Sequence, residues 1–236
     1  MTSDSVFRNN GCRDRRGAVA FLLGIALAIV CRYYVDLPVA EWCWYRHYGI
    51  SGHRYSAFVQ NLFVLMEVFG TWLGIVLVVG LICELDRFRW SRTVRFLAAV
   101  LCAGLTVNAI KLFVVRLRPQ GFRFREPDLV LEHNVISFDW APWASTFRNI
   151  ENSFPSGHTA TAFAACAVLS AFYPQGKRIF LLLALLVGVQ RIMVCAHFPS
   201  DVIVGAMIGL SVGGACTTFR PLARVCQRKH TAPLEP

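Results

Sequence analysis

Long apolar runs separated by short basic segments are the feature that most constrains what this chain can fold into. Hydrophobic residues make up 56% of the 236 residues and charged residues only 16%, which is far more apolar than a soluble domain. The runs lie at about 17–34, 60–83, 94–116, 155–173, 179–197 and 200–219. Each is close to the roughly 20 residues that a helix needs to cross a bilayer. The sequence therefore predicts an all-α, polytopic membrane bundle of six transmembrane helices.

The positive charges predict how this bundle is oriented. A net charge of +10 would suit nucleic-acid binding in a soluble protein, but here the charges flank the apolar runs, so we expect no nucleic-acid partner. Segments 1–16, 84–95, 174–178 and 220–236 hold four, four, two and four of the 24 Lys and Arg residues. The positive-inside rule then predicts that these segments are cytoplasmic. We expect a basic N-terminal tail, a six-span domain over 17–219, and a C-terminal tail.

The opposite side of the membrane receives three segments under this topology. They are the aromatic segment 35–59, the loop 117–154 and the turn 197–201. The loop is long for a connection between spans, which favours either a lid over a head group or a segment lying in the membrane interface. Glu67 interrupts the second apolar run, and we expect it to face the bundle interior and make a structural hydrogen bond.

The turn between the fifth and sixth runs places ionisable residues at a membrane edge, where they are costly and often functional. It reads Arg-Ile-Met-Val-Cys-Ala-His-Phe-Pro-Ser-Asp from Arg191 to Asp201. We expect Asp201 to accept the Nδ1 proton of His197, which leaves Nε2 free to attack an electrophile. The Arg191 guanidinium suits phosphate oxygens. The alternative is two helix ends capped by polar residues.

A second motif lies at the outer end of the third run. Lys111 and Arg118 are seven residues apart, so a continuous helix would place them on one face, and Pro119 would then stop that helix. Two fixed cations on one face can clamp a dianion. The alternative is that basic side chains snorkel near a helix end, which suits Arg116 and Arg118 better than the deeper Lys111.

A third motif, Phe-Pro-Ser-Gly-His-Thr, begins the fourth run. Pro155 suits the first helical position, so the amides of Ser156, Gly157 and His158 would point outward as an anion site. His158 adds a group that titrates near neutral pH. The alternative is a plain helix start.

The three motifs lie at the outer ends of spans under one topology that was inferred from charge alone. Together they supply three cations, a helix N-terminus and two histidines, without a carboxylate cluster of the kind that binds a divalent metal. This set predicts phosphoryl transfer through a phosphohistidine, with neither a metal nor another cofactor.

The pattern Lys-x6-Arg-Pro, then Pro-Ser-Gly-His, then Arg-x5-His-x3-Asp resembles that of the type 2 phosphatidic acid phosphatases and vanadium haloperoxidases. The resemblance covers Lys111 to Asp201. It implies that His197 is the nucleophile, that Asp201 orients it, and that His158 protonates the leaving oxygen and later activates water. Gln190 departs from the family, which usually has Ser before the arginine of the third motif.

The resemblance also implies a set of groups that bind the phosphoryl oxygens. These are Lys111, Arg118, Arg191, Ser156 and the amide of Gly157. We expect charge on the phosphoryl group to grow in the transition state, where such donors stabilise it most.

Family members of this size with six spans are mostly lipid phosphatases, and the resemblance implies a bacterial inner membrane for this chain. Their substrates include phosphatidic acid, phosphatidylglycerol phosphate, undecaprenyl pyrophosphate and the phosphates of lipid A. We therefore expect hydrolysis of a phosphorylated lipid at the extracytoplasmic face, with the oligomeric state open. The alternatives are a lipid phosphotransferase with the same site and a non-catalytic transporter or lipid-binding scaffold. A haloperoxidase is disfavoured by six membrane spans.

Overall fold

The computed structural model of the protein describes residues 3–48, 55–86, 88–121, 124, 137–138 and 152–218. Eight α-helices lie within this described part and make it predominantly helical, as the sequence predicts. Their bounds are α1 Ser3–Tyr34, α2 Asp36–Tyr48, α3 Ala57–Glu67, α4 Trp72–Leu85, α5 Arg89–Phe113, α6 Gly157–Phe172, α7 Lys177–Met193 and α8 Pro199–Thr218. Short 3-10 turns occur at Val68–Gly70, Pro119–Gly121 and Pro174–Gly176.

In the part of the chain that the structure describes, three helices are long and apolar enough to cross a membrane. They are Gly17–Tyr34 within α1, then α5, then α8. The segments Ala57–Gly70 and Trp72–Leu85 pass the same test together but are bent by 56°, so they form either a broken span or a re-entrant loop. Helix α6 is apolar but has only 16 residues, and α7 has 17. Length and composition alone thus identify three or four spans among the described residues, so the predicted number of six is not confirmed.

Helix α6 is the centre of the bundle. It packs against α5, α7 and α8, and α1 packs against α8. The main core joins α5 to α6 through side chains that include Phe96, Val107 and Val168. Large apolar side chains instead cover the outside, with Leu22 of α1 64% exposed and Leu182 of α7 55% exposed. Small residues inside and large apolar residues outside are typical of helices packed in lipid.

Helices α6 and α8 approach each other along a row of glycines. Gly205, Gly209 and Gly213 recur every four residues on one face of α8. A Cβ atom added at Gly205 would lie 2.5 Å from the Ser156 carbonyl oxygen, and one at Gly213 would lie 2.8 Å from that of Ala164. The missing side chains therefore let the two backbones touch.

The bend between α3 and α4 also depends on a glycine. Helix α3 ends at Glu67, and the 3-10 turn that follows leads through Thr71 into α4. The Thr71 hydroxyl donates to the Val68 carbonyl at 2.8 Å. A Cβ at Gly70 would lie 2.8 Å from the His158 carbonyl oxygen. The bend is thereby packed against the start of α6.

The loops after α4 and α6 meet at the N-terminal end of α5. Arg92 Nη1 lies 2.5 Å from Asp86 Oδ2, and the Tyr173 hydroxyl donates to the same carboxylate. The Arg92 guanidinium also lies 5.0 Å from the centre of the Tyr173 ring. Two segments that the charge pattern places on one side of the membrane are therefore in contact.

Several predicted boundaries are wrong by a few residues. Helix α5 ends at Phe113 instead of 116, because Val114–Val115 (β1) leaves the helix and pairs antiparallel with Ser137–Phe138 (β2). Helix α6 begins at Gly157, so Pro155 precedes the helix instead of starting it. Most of the 117–154 loop and all of 220–236 lie outside the described residues, so the predicted lid and C-terminal tail stay predictions.

Candidate active site

The loop between α7 and α8 is folded back onto the end of α7, and this fold positions His197. The backbone N–H groups of Ala196 and His197 both donate to the Arg191 carbonyl at 3.1 Å. Cys195 makes the reversal with a positive φ of 58°, a conformation that favours glycine. The Gln120 N–H donates to the Cys195 carbonyl at 2.9 Å. His197 and Arg191 are thus held together by main-chain bonds.

The ring of His197 is buried, and a backbone carbonyl selects its tautomer. Its Nδ1 lies 2.6 Å from the carbonyl oxygen of Ser153. Because a carbonyl oxygen only accepts hydrogen bonds, Nδ1 carries the hydrogen and Nε2 of the neutral ring carries the lone pair. The predicted acceptor was Asp201, but its Oδ2 lies 3.8 Å from Nδ1, which is too far for a hydrogen bond. The tautomer of His197 is therefore the predicted one, but the Ser153 carbonyl selects it instead of Asp201.

Asp201 instead braces the loop that carries His197. Its Oδ2 accepts the Phe198 N–H at 2.9 Å, and its Oδ1 lies 2.5 Å from Arg116 Nη1. Arg116 Nη2 lies 2.7 Å from Asp36 Oδ2, and Asp36 also accepts the Ser200 N–H at 3.0 Å. All four side chains of Asp36, Arg116, Ser200 and Asp201 are buried. Arg116 does not snorkel, so that interpretation is wrong, and sequence reasoning missed both Arg116 and Asp36.

Residues Asn152 and Ser153 join the end of α5 to the start of α6. Lys111 Nζ donates to the Asn152 carbonyl at 2.8 Å, and the Asn152 side-chain amide donates to the Lys111 carbonyl at 3.1 Å. The Ser153 N–H donates to the Arg116 carbonyl at 2.7 Å. Arg118 follows the helix end, so the predicted shared helical face with Lys111 is wrong. Asn152 and Ser153 also escaped sequence reasoning, because their contacts involve backbone groups, which leave no signature in the sequence.

The surroundings of His197 favour its neutral form. Burial is the largest cause and lowers the pKa of His197; the neighbouring Asp201 carboxylate acts in the opposite direction. The positive charges of Lys111 and Arg118 lower the pKa of His197 further. The neutral ring with an unprotonated Nε2 is the form that a nitrogen nucleophile needs.

The start of α6 supplies part of the predicted anion site. The Ser156 N–H donates to the Asp201 carbonyl at 3.1 Å, and its hydroxyl pairs with that of Thr159 at 2.8 Å. Ser156 is buried, and both its N–H and its hydroxyl already have hydrogen-bond partners within the protein. Gly157 and His158 are the first two residues of the helix, where amides have no acceptor within the helix. The amides of these two residues remain the anion donors that the fold supports.

Glu67 reaches into this site from the bend between α3 and α4. Its Oε1 lies 3.2 Å from His158 Nε2, and its Oε2 lies 2.5 Å from Arg191 Nη2. Gln190 completes the group, because its Nε2 lies 3.3 Å from Glu67 Oε2 while its Oε1 accepts from Arg191 Nε at 2.6 Å. Glu67 does face the interior as predicted, but its partners are site residues. The groups of Glu67, His158, Gln190 and Arg191 are called the carboxylate bridge below.

Among the described residues, no group of three or more His, Cys, Asp or Glu side chains is placed to hold a metal ion. The cations predicted to bind an anion are Lys111 near the end of α5, Arg118 in the segment after it, and Arg191 near the end of α7. Such a set binds an anion through guanidinium and ammonium donors.

Comparison with known proteins decides the family. The family model of the PAP2 superfamily matches residues 92–224, more than half of the chain. The chain belongs to the PAP2 superfamily. The resemblance drawn from the three motifs is thereby confirmed, and every predicted site residue of this PAP2 protein lies inside the matched segment. Asp36 and Glu67 lie outside it.

Individual relatives of this PAP2 protein agree with that assignment. It is 34% identical over 110 residues to a lipid A 1-phosphatase of Rhizobium johnstonii, a match that covers 47% of this chain and 40% of the relative. The match thus spans less than half of the relative's length.

Two crystal structures share the fold. LpxE of Aquifex aeolicus has a TM-score of 0.55 at 24% identity, with 78% of this chain and 96% of that chain covered. A transmembrane PAP2-type phosphatidylglycerolphosphate phosphatase of Bacillus subtilis has a TM-score of 0.53 at 15% identity, with 93% and 98% covered. Together with its apolar helices, these likenesses make this PAP2 chain a membrane protein.

Proposed function

We propose that this PAP2 protein is an integral membrane phosphatase that hydrolyses a phosphate monoester or pyrophosphate of a lipid through a phosphohistidine. The observation that carries the proposal is the buried His197 ring, whose Nδ1 faces the Ser153 carbonyl oxygen at 2.6 Å. A ring held this way offers Nε2 as a fixed lone pair. The cations nearby fit a phosphoryl group as the target.

The first chemical step is attack of His197 Nε2 on phosphorus. An N–P bond forms while the P–O bond to the lipid breaks, and the lipid oxygen takes a proton from His158. The Nδ1–H bond to the Ser153 carbonyl stabilises the positive charge that develops on the ring of His197. Asp201 acts on His197 through space and by bracing its loop, with Oδ2 at 3.8 Å from Nδ1.

The second step releases phosphate. Water attacks phosphorus and gives a proton to His158, and the N–P bond breaks so that its electron pair returns to Nε2. Lys111, Arg118, Arg191 and the Gly157 amide hold the phosphoryl oxygens through both steps. The buried hydroxyl of Ser156 supports the helix start through Thr159, 2.8 Å away, in place of a direct phosphate contact. The proposed chemistry needs no metal, because these cations supply the positive charge.

The proposed substrate is a phosphorylated lipid such as phosphatidic acid, phosphatidylglycerol phosphate, undecaprenyl pyrophosphate or lipid A. The likeness to a lipid A 1-phosphatase supports the lipid class. Exposed leucines on the outer helices support lateral entry, because lipid tails can stay in the bilayer while the head group reaches His197.

We also propose six spans in a bacterial inner membrane, with both termini cytoplasmic and the site extracytoplasmic. The contact between Asp86 and Tyr173 supports a shared side for two basic loops. Lys111 lies near the other end of the 25-residue helix α5, roughly 35 Å away by helical rise. Single cysteines placed at Arg89 and Gln120 in a cysteine-free background test this topology. A membrane-impermeant maleimide on intact cells is expected to label only position 120.

The activity test is phosphate release from those four lipids by purified protein in detergent with EDTA. Release from one lipid is expected, and His197→Ala should lower it by several orders of magnitude. His47→Ala is the matched histidine control, since His47 lies outside the three motifs and its ring makes a tilted contact with that of Tyr55, with 6.4 Å between centroids. Equal release by wild type and His197→Ala would refute the phosphohistidine. Release only after addition of an acceptor lipid would identify a phosphotransferase instead.

A further inference from the structure

We infer that Glu67 is a positioning residue that stabilises the protonated form of His158 and orients Arg191. The carboxylate bridge carries this inference, which rests on the proposed function. Glu67 lies at the bend of a largely apolar unit whose other acidic residue, Glu84, lies near the far end of α4, and an ionisable residue in the middle of such a unit is costly unless it has a partner. Here it has three partners, and two of them are residues of the proposed reaction.

The geometry gives each carboxylate oxygen a separate task. Oε1 faces His158 Nε2 at 3.2 Å, whereas Oε2 faces Arg191 Nη2 at 2.5 Å. Because a carboxylate has no hydrogen to donate, this close approach is favourable when Nε2 of His158 carries one. The proton that His158 exchanges with substrate and water then resides on Nδ1. Glu67 thus selects both the tautomer and the orientation of the proposed acid.

Electrostatics explains why a carboxylate is needed at this position. To protonate the leaving oxygen, His158 must carry a positive charge near Arg191, Arg118 and Lys111, with His197 also close by. Like charges disfavour a further cation, and an adjacent anion compensates for them. Glu67 is the anion that lies next to the ring. Protonated His158 needs this compensating charge because Lys111, Arg118 and Arg191 are all positive.

Gln190 explains how Glu67 keeps its place. The family usually has Ser at this position, and a serine hydroxyl could not bridge two partners this far apart. The longer amide donates toward Glu67 Oε2 at 3.3 Å and accepts from Arg191 Nε at 2.6 Å. Gln190 is buried, so this orientation is not lost to water. The departure from the family pattern is therefore coupled to Glu67.

The first test is the pH dependence of kcat and KM for Glu67→Gln. Its alkaline limb, where His158 loses its proton, is expected to move to lower pH by about one unit, because the compensating charge is gone. We expect kcat at neutral pH to fall on the order of 10-fold. KM should change little, since Lys111, Arg118 and the Gly157 amide of the proposed site still bind the phosphoryl oxygens. Glu84→Gln on α4 is the matched control and should leave the profile unchanged.

The second test asks whether Gln190 acts through Glu67. Gln190→Ser alone is expected to shift the alkaline limb in the same direction by a smaller amount. In the Glu67→Gln background the same substitution should add little, because Gln190 then has no carboxylate to hold in place. Fully additive effects would overturn the coupling. An unshifted limb in Glu67→Gln, with kcat lowered equally at every pH, would show that Glu67 only packs the bend.

The third test does not depend on activity. Histidine ¹⁵N resonances of the purified protein are followed with pH, and His158 is assigned by its loss in His158→Gln. Its titration midpoint is expected to fall in Glu67→Gln. This result stands even if wild type hydrolyses none of the lipids, which would refute the proposed function alone. An unchanged midpoint would overturn the inference whether or not the protein is a phosphatase.

Discussion

Arg116 and Asp201 form an ion pair, with Nη1 and Oδ1 2.5 Å apart and neither side chain exposed to solvent. The pair matters because Asp201 also receives the backbone N–H of Phe198, the residue after His197. Asp36 of α2 forms a second ion pair with the other terminal amino group of Arg116. One buried arginine therefore connects a segment after α5, the helix α2 and the loop that carries His197.

Removal of Arg116 should destabilise the protein more than removal of any surface arginine. Arg116→Ala leaves two buried carboxylates without their positive charge, which typically costs about 3–5 kcal/mol. The measurement is the thermal unfolding midpoint in detergent, together with phosphate release. Arg46→Ala is the control, because Arg46 is exposed and packs over Trp42. A midpoint no lower than that of the control would contradict the structural importance of the pair.

The reactivity of His197 should persist under mildly acidic conditions. Burial lowers the pKa of His197, so its neutral form survives to lower pH than that of an ordinary histidine near 6.5. The acid limb of kcat/KM is therefore expected below about pH 6.5. A pH–rate profile checks this, and a ¹⁵N spectrum should show the hydrogen on Nδ1. An acid limb above that value would contradict the effect of burial on the pKa of His197. A hydrogen on Nε2 at neutral pH would contradict the Ser153 contact as the source of the tautomer.

The glycine row on α8 allows a comparison within one helix. Gly209→Ala places a methyl group against the Ala160 carbonyl and the Ala164 amide, so α6 and α8 must separate. A Cβ at Gly214 meets nothing within 4 Å, and Ala there gains up to about 1 kcal/mol in helix propensity. We expect Gly209→Ala to lower the unfolding midpoint and Gly214→Ala to keep or raise it. Equal midpoints would show that the close approach is unimportant.

The Asp86, Arg92 and Tyr173 cluster should stabilise the fold in a pH-dependent way. Partial burial raises the pKa of Asp86, but hydrogen bonds from Tyr173, the Phe88 N–H and Arg92 outweigh it and hold the pKa below its usual value. Stability from this carboxylate is therefore present above about pH 4 and is lost as the pH falls through the lowered pKa.

Tyr173→Phe tests that cluster. It should lower the unfolding midpoint at pH 7 and have less effect near the acid limit, where Asp86 takes up a proton. Tyr33→Phe is the matched control, since Tyr33 is 77% exposed. A loss for Tyr173→Phe that is the same at every pH would remove Asp86 as its cause.

Sequence reasoning found the family and the residues of its motifs because those features are local. Lys111, Ser156 to His158 and Arg191 to Asp201 can each be recognised from neighbours within a few positions. What it missed depends on partners distant in sequence. The Ser153 carbonyl has no signature, since every residue carries a carbonyl group. Arg116 resembled an interfacial arginine until Asp36 was placed beside it, 80 residues away.

The end of α5 shows the same limit in the backbone. An apolar run through Val114 and Val115 predicts a longer helix, and nothing nearby forbids it. The helix ends because these residues pair with Ser137–Phe138 and because Asn152 bonds to the Lys111 carbonyl. Glu67 is the converse case, for its position on an apolar run correctly predicted an interior partner. Its particular partners required the bend at Gly70.

The backbone contact between α6 and α8 has a mechanical consequence. No layer of side chains lies between these helices at Gly205 and Gly209, so there is nothing that could repack and let them slide. His158 is the second residue of α6, and the loop that carries His197 leads directly into α8. The distance between His158 and His197, the proposed acid and nucleophile, is therefore set by a closely packed pair of helices. If the substrate is a lipid as proposed, we expect the opening that admits it to form on another side of the bundle, with little movement of these two histidines.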